Sequence, residues 1–67
     1  NNRLLLAAAN ASIRYAKELG NDAISYWHKA RQATDLLQRQ HYDAATVESL
    51  DQELLMTEHR IKSKLSA

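Results

Sequence analysis

"KELGNDAIS", residues 17–25, holds the only glycine of a 67-residue chain, and its reading decides the fold. Helical patterning runs up to it and away from it. A turn at Gly20 makes three helices that can fold on one another. A helix running through Gly20 makes a rod of about 57 Å at 1.5 Å per residue, half of it uncovered by the rest of the chain. For a turn, Gly20 suits the left-handed position that ends a helix, and Asn21 or Asp22 can cap the next one. For continuity, an apolar stripe keeps phase across the site: 6, 9, 13, 16, 20, 23, 27, 30, 34, 37. A mid-helix glycine costs only about 1 kcal/mol relative to alanine. The capping residues favour the turn.

Upstream, "RLLLAAANASIRYAKEL", residues 3–19, carries Leu6, Ala9, Ile13 and Ala16 on one stripe. Leu5, Ala8, Ser12, Tyr15 and Leu19 form a second stripe beside it. Much of this wide apolar face is alanine, which lets helix axes approach closely. Leu4, Leu5 and Leu6 point in three directions, so this helix start is expected to be covered on more than one side.

Downstream, residues 22–40 place Ala23, Trp27, Ala30, Thr34 and Leu37 on one stripe. Trp27 is expected in the core, and Tyr26, one residue away, is left for contact with a partner. Residues 44–66 carry Val47, Leu50, Leu54, Ile61 and Leu65, with Leu55 and Met56 beside them. Asp43 reads as the N-cap of that helix, with Tyr42 and Val47 at hydrophobic-staple spacing. Arg14–Glu18, Arg31–Asp35, Asp35–Arg39 and Glu58–Lys62 have i,i+4 spacing.

The fold class is therefore all-α. Residues 1–67 form one domain with helices over about 3–19, 22–40 and 44–66. The architecture is a three-helix bundle, or a long helix plus an antiparallel helical hairpin assembled as a dimer. So short a chain has a marginal core, and without cysteine it has no disulfides to reinforce it. Oligomerisation or docking on a partner is the expected remedy. Because the first residue is asparagine, further residues are expected upstream.

Composition narrows the function. Nine basic and eight acidic side chains give a net charge of +1, no footprint for DNA or a membrane surface. The apolar run Leu4–Ala9 is too short to cross a bilayer or to serve as a secretory leader. The absence of cysteine fits the cytoplasm. His28, His41 and His59 lack i,i+4 or Glu-x-x-His spacing, so no metal or cofactor is expected. No residue has a visible catalytic partner, so no enzymatic activity is expected.

"VESLDQELLM", residues 47–56, resembles the start of the second helix of acyl carrier proteins, with Ser49 at the position of their modified serine. The alignment needs a deletion after Asp51, and the long preceding loop and the acidic charge of those proteins are missing. Ser49 reads as a first-turn serine. "DQELL", residues 51–55, resembles the Ser-Gln-Glu-Leu-Asp signature of small sporulation phosphatases, but Asp51 and Leu55 replace both of its ends.

What remains is an interaction protein: an adaptor, inhibitor, chaperone-like cap or regulator. It is expected to dock through apolar helical faces on a protein partner or on itself as a homodimer. Tyr15, Tyr26, Leu5, Ala8 and Leu19 are the candidate contact residues. The alternative is a small dimeric nucleic-acid-binding regulator using the basic stretch His59, Arg60, Lys62 and Lys64.

Overall fold

The chain turns at Gly20. The computed structural model describes residues 1–18 and 20–66, the side chains of residues 65 and 66 excepted. It consists of α1 (Asn2–Glu18), α2 (Ala23–Arg39) and α3 (Ala44–Ser66). The result is a three-helix bundle measuring 38 × 17 × 14 Å. Residues 20–22 make the first turn, closed by the Ala23 amide donating to the Gly20 carbonyl at 3.4 Å. The stripe that keeps phase through position 20 is compatible with this turn. Ala16 and Ala23 are seven positions apart in either reading, and here they bury together with Ile61.

Gly20 does not take the left-handed conformation expected of it; its φ is not positive. The side chain of Asp22, the N-cap of α2, makes no capping hydrogen bond. The left-handed residue is at the other turn, where His41 has φ 57°. The His41 amide donates to the Gln38 carbonyl at 3.1 Å, and the Tyr42 amide to the Leu37 carbonyl at 3.0 Å. That pair of bonds is the Schellman arrangement at the C-terminus of α2. Tyr42 then packs against the core cluster that contains both Leu37 and Val47. Asp43 caps α3 as its sequence predicts, accepting from the Thr46 amide at 3.0 Å and the Thr46 hydroxyl at 2.7 Å.

α1 and α2 are the most closely packed pair. Ala9, Ile13, Ala30 and Ala33 keep their axes close, and Leu37, Val47, Leu50 and Leu54 complete the main cluster with α3. Trp27 touches this cluster and the smaller one at the Gly20 end. Its indole Nε1–H donates to the Leu54 carbonyl at 2.8 Å, so the partly buried ring finds its hydrogen bond on α3.

On α3 the buried stripe reads Val47, Leu50, Leu54, Thr57, Ile61. Thr57 is 1% exposed, whereas Leu55 and Met56, expected beside the stripe, are 53% and 64% exposed. Helical spacing requires a core residue at 57, and Thr57 fits because its hydroxyl donates to the Glu53 carbonyl at 2.7 Å. Thr34 does the same on α2, donating to the Ala30 carbonyl at 2.8 Å.

Ion pairs fasten α3 to the other two helices. Lys17 reaches Glu53 at 2.7 Å. Arg31 reaches Asp35 at 2.6 Å and Asp51 at 2.9 Å. The hydrogen bond that Arg31 donates to Asp35 and the charges of both acids raise the Arg31 pKa above its ordinary value, against the opposing effect of partial burial. Glu58–Lys62 forms at 3.9 Å. Among the described residues, Arg14–Glu18 and Asp35–Arg39 form no ion pair.

Candidate interaction surface

α3 covers one side of the α1–α2 hairpin and leaves the other open. The α1 residues that meet α3 include Ile13 and Lys17; on α2 they include Trp27 and Arg31. Successive residues turn by about 100° around a helix axis, so a residue two positions away lies on nearly the opposite side. Tyr15 is two positions from both Ile13 and Lys17. Lys29 stands likewise between Trp27 and Arg31. These residues therefore lie on the hairpin side that faces away from α3.

The α1 half of the open side is largely apolar. Tyr15, 48% exposed, and Tyr26, partly buried, bring their rings to 5.2 Å with planes tilted by 47°. The Lys29 Nζ sits 5.2 Å from the centre of the Tyr26 ring, a cation–π contact. At the other end of the hairpin, Leu4 is 70% exposed and Leu36 is 42% exposed. Between the ends, the exposed α1 residues Ala7, Ala8 and Ala11 add small apolar surface.

The fold thus brings Tyr15 and Tyr26 together and leaves Ala8 exposed on the same side. Leu5 does not join this face; it packs against the main core. Leu19 lies outside the described residues. Sequence reasoning missed Leu4, Ala11 and Leu36 as parts of the surface. The signal for the α1 members was present: Leu4, Ala8, Ala11 and Tyr15 recur at four-, three- and four-residue steps.

The basic stretch on α3 is divided by the helix. Arg60 and Lys64 line a 160 Å³ cleft beside Gly20, together with Lys17, which is already held by Glu53. Lys62 lines a different groove with Ile24, His28 and its ion-pair partner Glu58. His59 is exposed. The four residues therefore do not form one continuous strip.

His28, His41 and His59 lie on α2, in the second turn and on α3 respectively. Among the described residues, no three His, Cys, Asp or Glu side chains converge on a point that could hold a metal ion. No described helix is long and apolar enough to cross a membrane. No protein-family model matches this chain, and no curated protein or solved structure matches it either.

Proposed function

We propose that this chain is a non-enzymatic protein–protein interaction module that works by docking the open side of its α1–α2 hairpin. The observation that carries this reading is the pairing of Tyr15 with Tyr26 on a face where Leu4 and Leu36 are also exposed. Tyrosine is favoured at interfaces because it buries a large, rigid ring and keeps one polar group satisfied at the rim. The small alanines between the two ends would let a partner helix approach closely. The mode is helix against helix, as in an adaptor, an inhibitor or a regulatory cap. The lack of cysteine supports a cytoplasmic setting.

The test is a two-hybrid screen with the chain as bait, followed by two double variants. Tyr15→Ala/Tyr26→Ala should abolish binding of a recovered partner while helicity by circular dichroism is kept. Leu55→Ala/Met56→Ala, on exposed α3 surface, should leave binding intact. Binding indifferent to the tyrosine pair would count against the proposed face.

A further inference from the structure

We infer that the partner of the open hairpin face is a second copy of this chain, paired antiparallel through α1. The inference rests on the docking face argued above and adds the identity of its occupant.

α1 is apolar on more sides than the fold covers. Ala9, Ile13 and Ala16 are buried, yet Leu4, Ala8, Ala11 and Tyr15 lie exposed on another side. Arg3, Asn10, Arg14, Lys17 and Glu18 mark the polar side of the helix, and the apolar arc on the rest is wider than the contact with α2 and α3 covers. The exposed four have the alternating spacing of a helix–helix seam, with large residues at its ends and alanines at its centre.

That order is self-complementary. Lay a second α1 antiparallel on the first and Leu4 falls opposite Tyr15, while Ala8 falls opposite Ala11. Both pairs recur by two-fold symmetry, as a closed isologous dimer requires. The central alanines let the two axes approach to about 8 Å. Each Leu4 is delivered to the other copy's Tyr15–Tyr26 pair.

The seam is one helix against one helix, small by the standard of specific interfaces. The dimer is therefore expected to be a reversible one.

Sedimentation equilibrium from about 1 µM to about 500 µM brackets the affinities that interfaces of this size give. It should show monomer passing to dimer. Ala8→Glu should weaken dimerisation by about 100-fold or more, because each introduced carboxylate is buried unpaired near the two-fold axis. Its position is exposed in the single chain, so helicity should be unchanged. Orientation is read by disulfide cross-linking, which is clean because the chain has no cysteine. A mixture of Ala8→Cys and Ala11→Cys chains should form mixed cross-links in preference to like-with-like ones. Preferred like-with-like cross-links would overturn the antiparallel register. A monomer throughout the range would overturn self-pairing and leave the docking face to the two-hybrid variants. A dimer that survives Ala8→Glu but is lost with Leu55→Ser/Met56→Ser would overturn both readings.

Discussion

The amide of Tyr42 donates to the carbonyl of Leu37 at 3.0 Å, and His41 between them is in the left-handed conformation. This is the position at which helices commonly place glycine, because a side chain there costs roughly 1–2 kcal/mol. The glycine of the chain is instead at the first turn, where its φ is not positive and a Cβ would meet nothing within 4 Å. The two turns have thus exchanged the residue types their geometries prefer. His41→Gly should raise stability, by about 1 kcal/mol once the greater backbone entropy of glycine in the unfolded chain is set against the relieved strain. Gly20→Ala should raise it by about 0.4–1 kcal/mol through the unfolded state alone. Urea denaturation of each variant checks both, and a loss of stability in Gly20→Ala would contradict the turn geometry.

Asp43 gives a pH-dependent contribution whose sign is fixed. The hydroxyl and then the amide of Thr46 hold its carboxylate below the ordinary value of 3.8. A depressed folded pKa means the stabilisation is fully present above the unfolded pKa and is lost as pH falls through the folded one. Stability measured from pH 6 down to pH 2 should decline in part through this group. Asp43→Asn keeps an N-capping side chain but cannot titrate, so it should remove that part of the slope. An unchanged slope in the variant would show that other carboxylates carry the whole acid dependence.

Trp27 joins the two core clusters and hydrogen-bonds to Leu54, so its ring and its N–H can be separated by substitution. Trp27→Phe keeps most of the apolar contact and removes the donor. The Leu54 carbonyl sits inside α3 and keeps its helical partner, so the cost should be near the net value of one hydrogen bond plus a small packing loss, about 1–2 kcal/mol. Trp27→Ala should cost about 3 kcal/mol or more and loosen both ends of the bundle. Thermal unfolding followed at α-helical wavelengths distinguishes the two.

The helices were legible from spacing because each buries its own stripe: Ala9, Ile13 and Ala16 on α1, Ala23, Ala30 and Leu37 on α2, Val47, Leu50, Leu54 and Ile61 on α3. The turn at Gly20 was legible only through residue type, since Ala16 and Ala23 stay seven positions apart whether or not the chain turns. The Schellman turn at His41 was hidden because no glycine marks it. Interhelical polar contacts were hidden for a different reason. Lys17–Glu53 and Arg31–Asp51 depend on the rotation and axial offset of α3, which spacing within one helix does not fix. The open hairpin face fell between these cases. Tyr15 and Tyr26 were identifiable as candidates, but their ring contact follows from the antiparallel register of α1 and α2, and the packing of Leu5 against the main core depends on that same register.

Thr57 tests whether burial or hydroxyl chemistry sets the identity of the one polar residue in the α3 stripe. The side chain is 1% exposed and its hydroxyl donates to the Glu53 carbonyl, which lies one turn back in the same helix. Removing the hydroxyl leaves no buried donor, and Glu53 keeps its backbone hydrogen bond within the helix. Thr57→Val, nearly the same shape, should therefore be neutral or stabilising by up to about 1 kcal/mol. Thr57→Ser retains the hydroxyl and loses the methyl group from the core, so it should destabilise by about 1 kcal/mol. Guanidinium unfolding of both variants gives the order Val, Thr, Ser if the methyl contact with the core dominates. The reverse order would mean that the back-bonded hydroxyl is what holds α3 in place at this position.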